Sequence, residues 1–160
     1  MKKSLESKVK VRFQDCDPFN HLNNSKYIDY FVNAREDQIL QHYNLDAFAQ
    51  MNTLGKSWVV TTHQIAYIKP AILNEEVIIM SQLIGHSNST LRVEMKMFDQ
   101  SKTSLKAILW STFAYFDIRN KVKASHSTEL DDLFKEILNP IDDQSFEKRC
   151  REIMIILKST

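Results

Sequence analysis

Apolar and polar residues alternate along much of the chain with the two-residue period of β-strands. A first alternation runs from Val9 to Phe13. Four longer strand-like runs follow later in the chain: Ser57 to Lys69, Glu76 to His86, Thr90 to Asp99 and Leu105 to Ile118. Short polar segments of the kind that form turns separate these runs. The pattern therefore predicts one short strand and, after a gap, four long ones.

The third long run alternates most regularly. Its apolar residues are Leu91, Val93, Met95 and Met97, and charged residues stand between them at positions 92, 94 and 96. Because successive side chains of a strand point to opposite faces of the sheet, this spacing predicts one buried face and one solvent-exposed face.

Three segments have helical patterns. Ser25 to His42 is apolar on most sides of its first turns, which is typical of a helix enclosed by other elements. Residues 128 to 138 carry an apolar stripe at i, i+3, i+4 and i+7 spacing, which Asn139-Pro140 ends. A further stripe consists of Phe146, Cys150, Ile153 and Leu157. We expect these C-terminal helices, about residues 128–157, to pack on the sheet or on a neighbouring subunit.

Long antiparallel strands together with one mostly apolar helix indicate an α+β fold in which a sheet covers the helix. A length of 160 residues and a hydrophobic content of 43% suit one domain with a sizeable core. We therefore predict a single domain over residues 1–160, with its core between about residues 8 and 120 and the helices after it.

Composition and charge exclude several classes of function. The formal net charge is +1, from 21 basic and 20 acidic residues, so no broad electrostatic attraction to nucleic acid or to an anionic membrane is expected. No segment approaches the ~20 apolar residues of a membrane span, so we expect a cytoplasmic protein without a membrane partner. With only Gly55 and Gly85, glycine-rich phosphate loops are absent. His42, His86 and His126 have no partner pattern and are expected at the surface.

The densest chemistry lies between the first strand and the first helix. Residues 15–24 contain two carboxylates, an imidazole and three amides. Asp17 precedes a proline, which favours an extended backbone, and Asn23 or Asn24 can cap the helix. A carboxylate near helix N–H donors suits attack on a carbonyl, because the donors favour a developing oxyanion. The structural alternative is that Asp17 only forms an Asx-turn.

This segment resembles a family signature. The run Asp15-Cys16-Asp17-Pro18-Phe19-Asn20-His21-Leu22-Asn23-Asn24, followed by Tyr27, is similar to the D-x-D-x-x-G-H-(V/L)-N-N-x-x-Y signature of hot-dog-fold acyl-CoA thioesterases, the group that includes 4-hydroxybenzoyl-CoA thioesterase. Tyr67-Ile68-Lys69-Pro70-Ala71 resembles the family's Tyr-x-x-Pro-Ala. Asn20 stands where the family usually has glycine. Because asparagine tolerates positive φ better than most residues, we expect the turn to survive.

The resemblance implies a hot-dog fold, with a long antiparallel sheet wrapped around a central helix. It implies hydrolysis of an acyl-CoA thioester to a carboxylic acid and free coenzyme A, without a metal or cofactor, by a homodimer or homotetramer. The residue that matches the family's catalytic carboxylate is Asp17, acting as nucleophile or general base. The candidate substrate-binding residues are His21, Asn23, Asn24, Tyr27 and, from its mid-strand position, His63.

Other interpretations stay open. A non-catalytic acyl-thioester-binding or assembly protein of the same fold is the main alternative, and Asn20 in place of glycine supports it. A dehydratase of the same fold is less well supported, because the helix motif of such enzymes is missing. Asp15, Asp17 and His21 could ligate a metal, but no second cluster completes a site, so no metal is predicted. The acyl group and its carrier are not encoded in any recognisable pattern.

Overall fold

The computed structural model describes residues 1–142 and 145–159. The strands are β1 (Ser4–Lys10), β2 (Lys56–Tyr67), β3 (Glu76–His86), β4 (Thr90–Asp99), β5 (Leu105–Asp117) and β6 (Val122–Lys123). The helices are α1 (Tyr27–Tyr43), α2 (Ala47–Leu54), α3 (Thr128–Ile137) and α4 (Phe146–Ser159). Within these described ranges, no helix is both long and apolar enough to cross a membrane.

The strands form one antiparallel sheet in the order β1-β3-β4-β5-β2, and the short β6 pairs with the end of β5. β1 and β2 are therefore the two edges of the main sheet. α1 packs its apolar face against the sheet, and Phe31 on that face is fully buried. The predicted α+β arrangement of a sheet around a helix is confirmed.

Alternating side chains enter two separate cores, one on each face of the sheet. On the inner face, sheet residues pack with α1 and α3: Val77, Ile79, Leu83, Val93, Met95, Ala107 and Leu109 against Phe31, Phe134 and Ile137. On the outer face, sheet residues pack with α4: Ile84, Phe98, Ile108 and Trp110 against Phe146, Cys150 and Ile153. The C-terminal helices thus lie on opposite faces, with α4 on the side away from α1.

The prediction of a solvent-exposed face on β4 is wrong. Glu94, one of the charged residues in the alternation, is fully buried. Its neighbour on the same face, Arg92, places its guanidinium 5.0 Å from the ring centroid of Trp110. The alternation correctly identified which side chains share a face. It could not show that α4, which begins about fifty residues later, covers that face.

Two other elements differ from the sequence pattern. β1 begins at Ser4 and ends at Lys10, and residues 13–15 form a 3-10 turn instead of continuing the strand. α2 was not predicted, because its eight residues carry no charge and so show no polar stripe. It is fixed locally at both ends: Asp46 accepts a hydrogen bond of 2.8 Å from the Ala49 N–H, and Gly55 ends the helix with φ of 67°.

An aromatic cluster at the end of β3 encloses His126. The Nε2 atom of His126 accepts a 3.1 Å hydrogen bond from Nε1 of Trp58, and Nδ1 lies 3.1 Å from the carbonyl oxygen of Ser87. With Nδ1 donating and Nε2 accepting, the ring is neutral. Burial lowers the pKa of His126, although the Ser87 carbonyl and the nearby Asp131 oppose the effect. His86 and His126 are half-buried, so their predicted surface positions are wrong.

We expect the free energy of unfolding to fall as the pH drops below the ordinary histidine pKa of 6.5. In that range the unfolded chain binds a proton at residue 126, whereas the native ring, whose pKa is lowered, resists it. Protonation of Nε2 would also remove the acceptor of the Trp58 indole N–H and place two N–H donors opposite each other. Urea unfolding at several pH values measures how steeply the free energy of unfolding changes with pH.

The matched variant for this prediction is His126→Gln, whose amide oxygen can still accept from Trp58 but does not titrate. It should show a smaller loss of stability between pH 7.5 and 5 than the wild type. His42→Gln, at an exposed position of α1, should keep the full slope. An unchanged slope in His126→Gln would contradict the assignment. Part of the slope should persist, because burial also lowers the pKa of His63.

Candidate active site

The loop between β1 and α1 is held against the segment that follows β2. The Leu22 N–H donates to the Ala71 carbonyl at 2.8 Å, and the Leu73 N–H donates to the Asn20 carbonyl at 2.9 Å. A bridge between His21 and residue 72 continues this pairing. The two sequence motifs, about fifty residues apart in the chain, therefore lie side by side and form the walls of one site.

Asp17 organises the loop through its own side chain. Its Oδ1 accepts hydrogen bonds from the Phe19 N–H at 2.9 Å and from the His21 N–H at 3.1 Å, which is an Asx-turn. Asn20 closes the turn with φ of 59°, so the expectation that asparagine replaces glycine here without loss of the turn is confirmed. No described residue hydrogen-bonds to Oδ2 of Asp17. One oxygen thus fixes the loop, and the other is available to a ligand.

The start of the helix supplies a free backbone donor. Asn23 caps the 3-10 turn that leads into α1, since its Oδ1 accepts from the Ser25 N–H at 2.9 Å. Asn24 is the first residue of that turn, so its N–H has no acceptor within the helix. No other residue in the described ranges accepts from it. The side chain of Asn23 is therefore structural, whereas Asn24 presents an N–H at a helix start.

Two tyrosines fix the geometry around Asn24. The hydroxyl of Tyr67 donates to the Asn24 carbonyl at 3.0 Å, and the hydroxyl of Tyr27 accepts from the Ala71 N–H at 3.1 Å. Their rings meet edge to face with centroids 5.2 Å apart. Burial raises the pKa of Tyr27, so its phenol stays protonated at neutral pH. The pair joins the helix start to the end of β2.

These groups surround a cavity of about 270 Å³. Its lining residues are Asp17, His21, Leu22, Asn24, Tyr27, Tyr67, Ile68, Lys69 and Pro70. The structure therefore brings together four of the six predicted site residues. Asn23 and His63 do not line it. Residues 67–70 also line it but are not among the predicted site residues, although they belong to the Tyr-x-x-Pro-Ala motif.

The two histidines of the prediction have different surroundings. The ring of His21 makes no hydrogen bond to any described residue and lines the cavity, so it can face a ligand. His63 lies within β2, where its Nδ1 is 2.8 Å from the hydroxyl of Ser111 on β5. Burial lowers the pKa of His63. In this chain His63 has the packing partner expected of a strand histidine.

Two other potentially reactive side chains of the loop, Asp15 and Cys16, are not available for the reaction. The hydroxyl of Tyr30 donates to Oδ2 of Asp15 at 2.8 Å and accepts from the Arg12 N–H at 3.1 Å, so Asp15 anchors the loop to α1. Burial raises the pKa of Cys16, and the charges of Asp17 and Asp15 add to the effect. Because the thiol is then protonated at neutral pH, Cys16 is a poor nucleophile. Asp17 is left as the best placed reactive group.

No set of three or more His, Cys, Asp or Glu side chains in the described part of the chain is arranged to hold a metal ion. Asp15 and Asp17 are two residues apart, but their oxygens bond to Tyr30 and to backbone N–H groups respectively. The chemistry of the site is thus that of a carboxylate, an imidazole and backbone donors.

A curled antiparallel sheet around one helix, with a polar loop at the start of that helix, defines a protein of the hot-dog fold, and solved structures with this fold match it. The chain belongs to the thioesterase-like superfamily, whose family model matches residues 11–138. The α+β hot-dog prediction and the thioesterase resemblance are both confirmed.

Three similar proteins illustrate the relationship. The long-chain acyl-CoA thioesterase FadM of Escherichia coli is 24% identical over 136 residues, covering 84% of this chain and 99% of its own. The DHNA-CoA thioesterase of Staphylococcus aureus has a TM-score of 0.76 at 14% identity, covering 84% of this chain and 90% of its own. A hypothetical protein of Staphylococcus aureus, solved in complex with CoA, has a TM-score of 0.79 at 11% identity, covering 91% and 92%.

Proposed function

We propose that this protein hydrolyses an acyl-CoA thioester to a carboxylic acid and free coenzyme A, with Asp17 as nucleophile or general base. The observation that carries the proposal is that Asp17 and Asn24 line the same cavity, where no described residue hydrogen-bonds to Oδ2 of Asp17 or accepts from the Asn24 N–H. A carboxylate attacks the carbonyl carbon or deprotonates a water that does so. Both routes need the same two groups.

The oxyanion that forms during attack requires a donor that is already oriented. The Asn24 N–H lies at a helix start, where the helix dipole also favours negative charge. The Tyr67 hydroxyl holds the Asn24 carbonyl and so fixes the orientation of this turn. The thiolate of coenzyme A is a good leaving group and needs little help from an acid. The proposed mechanism therefore involves no cofactor.

Coenzyme A as the carrier is supported by similar proteins and by charge. FadM is a long-chain acyl-CoA thioesterase, and one structural neighbour was solved in complex with CoA. The ammonium of Lys69 is exposed and lines the cavity, and it would attract the phosphates of that carrier. The acyl group is not assigned, because the named relatives act on both long-chain and DHNA thioesters.

Release of free thiol, followed with a chromogenic disulfide, tests the proposal. The substrates are short-chain, long-chain and aromatic acyl-CoAs at equal concentrations. Turnover of at least one substrate class is expected, and the ratio of kcat/KM values identifies the acyl preference. Saturable binding of every class without turnover would overturn the proposal and favour the non-catalytic acyl-thioester-binding protein. The main sequence support for that alternative is weaker now that Asn20 occupies the turn without disruption.

We propose further that the protein works as a single-domain homodimer in the cytoplasm, paired through β2. This strand is an edge of the sheet, and among described residues no strand covers its outer side. Val59 and Val60 in its middle are 37% and 45% exposed. An edge strand of twelve residues has unpaired backbone groups that a second copy can satisfy.

Val60→Glu is expected to convert the dimer to a monomer at micromolar concentration, because a charge on an exposed edge strand opposes its pairing with another strand. Sedimentation velocity measures the change. Ile155→Glu is the matched control, since Ile155 is 65% exposed on α4, remote from β2. A Val60→Glu protein that sediments like the wild type, or a wild type that is monomeric, would contradict the β2 interface.

A further inference from the structure

A second cavity, of about 110 Å³, lies between α1 and the inner face of the sheet. None of its lining residues belongs to the candidate active site. Its walls are mainly apolar and are formed by side chains of α1, the sheet and α3, including Val32, Ile39, Val93, Met95 and Phe134. Such a cavity can hold the apolar part of a small ligand.

One positive charge stands on this apolar wall. Arg35 of α1 lines the cavity and is half-buried, and its Nη1 donates to the hydroxyl of Ser81 at 3.0 Å. The hydroxyl of Tyr43 also interacts with the guanidinium. Burial lowers the pKa of Arg35 to about 10, so the group remains charged at neutral pH. A guanidinium has five N–H donors, and these two hydroxyls occupy only part of them.

The charge of Arg35 has no counter-ion among residues 1–142 and 145–159. No carboxylate in the described part of the chain lies within ion-pair distance of it. Glu36 also lines the cavity, but its side chain is exposed and does not pair with Arg35. An unpaired cation at an apolar wall costs stability compared with methionine or leucine of similar volume. A ligand that brings a negative charge would offset this cost.

The position of Arg35 is also fixed. The Ser81 hydroxyl, which accepts from Arg35, donates in turn to Oε1 of Gln38. Nε2 of Gln38 donates to the hydroxyl of Ser7 at 2.9 Å and to the Ile79 carbonyl at 3.0 Å. This chain of hydrogen bonds ties α1 to β1 and β3. The guanidinium is therefore held in one orientation, as a binding group should be.

We propose that this cavity binds a small apolar carboxylate, with its hydrocarbon part against the side chains of β4 and α3 and its carboxylate on the guanidinium of Arg35. The ligand is short. Because apolar cavities of about 150 Å³ accept benzene, a cavity of this size accommodates on the order of five carbon atoms. The ligand is a free short-chain acid, because the cavity shares no lining residue with the candidate active site and a short acyl group bound there would not reach Arg35.

Titration with hexanoate tests the proposal directly. The protein is labelled with [13C]methyl-methionine, and the signal of Met95, which lines the cavity, reports binding. Met80, which packs on the outer-face core, serves as the internal control. We expect hexanoate to shift the Met95 signal saturably and to bind at least tenfold more tightly than 1-hexanol, which has the same chain without the charge. Equal affinity for the two, or no shift of Met95, would overturn the proposal.

The variant Arg35→Met removes the charge and approximately keeps the volume, and loss of a half-buried charge that no described carboxylate pairs should not prevent folding. It should weaken hexanoate binding at least tenfold and leave 1-hexanol binding unchanged. Unaltered hexanoate affinity in this variant would also overturn the proposal. These titrations do not depend on thioester hydrolysis, so they stand if the proposed enzymatic function fails.

Kinetics distinguish this cavity from the active site. Hexanoate should bind together with acyl-CoA and leave the KM for acyl-CoA unchanged. Competitive inhibition by hexanoate that Arg35→Met relieves would show that the two sites overlap and would overturn the proposal of a separate site.

Discussion

Asp17→Asn is expected to lower kcat for acyl-CoA hydrolysis by about 10²-fold or more, as for loss of a catalytic base or nucleophile. The substitution separates charge from structure. Asparagine keeps an Oδ1 that can accept from the Phe19 and His21 N–H groups, so the Asx-turn should persist. It removes the negative charge of the oxygen that no described residue occupies. The thiol-release assay measures the effect at saturating substrate.

Asp15→Asn is the matched control for this prediction, because it makes the same change of charge two residues away. The asparagine oxygen can still accept from the Tyr30 hydroxyl, so the loop should remain anchored and kcat should change only a few-fold. Equal losses in the two variants would indicate that the loop needs its overall charge and not a reactive carboxylate at residue 17. Near-wild-type turnover by a folded Asp17→Asn protein would exclude Asp17 as nucleophile or base.

Arg149→Met is expected to lower the free energy of unfolding by about 3 kcal/mol, because it leaves a buried carboxylate without its main partner. Glu94 is fully buried, and its two oxygens accept from Nε and Nη2 of Arg149 at 2.8 and 2.9 Å. Trp110 adds an indole N–H at 2.9 Å and Lys96 an ammonium at 3.3 Å. Burial acts to raise the pKa of Glu94, but Arg149 and these neighbours outweigh it, so the pKa is lowered.

Urea unfolding with two further variants checks the interpretation. Lys148→Met makes a similar change at the preceding, exposed position of α4 and should cost less than about 0.5 kcal/mol. In the double variant Glu94→Met/Arg149→Met the loss should be smaller than in Arg149→Met alone, since neither charge remains buried without a partner. A double variant as unstable as the sum of the two single ones would contradict the ion pair.

The stability that Glu94 contributes should depend on pH in a definite direction. A carboxylate whose pKa is lowered in the native state contributes stability above its unfolded value of 4.5, and this contribution is lost as the pH falls. The difference in the free energy of unfolding between the wild type and Arg149→Met should therefore become smaller at acid pH. Because α4 lies on the outer face, kcat of the folded Arg149→Met protein should remain close to that of the wild type.

Local patterns were sufficient for the elements and for the chemistry of the loop. The two-residue alternation identified β2 to β5 to within a few residues, and the enclosed helix was identified because its first turns are apolar on most sides. Asp17 before proline, with asparagines ahead of the helix, predicted a carboxylate at a helix start. These features depend on neighbouring residues in the chain, so a single sequence contains them.

Other features depended on contacts between distant segments. The cap is made by Asn23 and the free N–H belongs to Asn24, a distinction set by one hydrogen bond to Ser25. Tyr67 reaches Asn24 only because β2 ends beside the loop. Likewise Glu94 is buried only because α4 folds over the outer face. Alternation shows that a residue is polar and which face it shares, but not which later segment covers it.

The sequence by itself therefore determined the α+β class, the four long strands, the first helix and the reactive loop, since each follows from residues close together in the chain. Only the tertiary structure decided which side chains surround each cavity, that Arg35 lines an apolar one without a counter-ion among the described residues, and that the ring of His63 bonds to Ser111. The physical reason is that sheet order and strand register bring these residues together, and the β1–β3 and β2–β5 pairings that set them join residues at least forty positions apart in the chain.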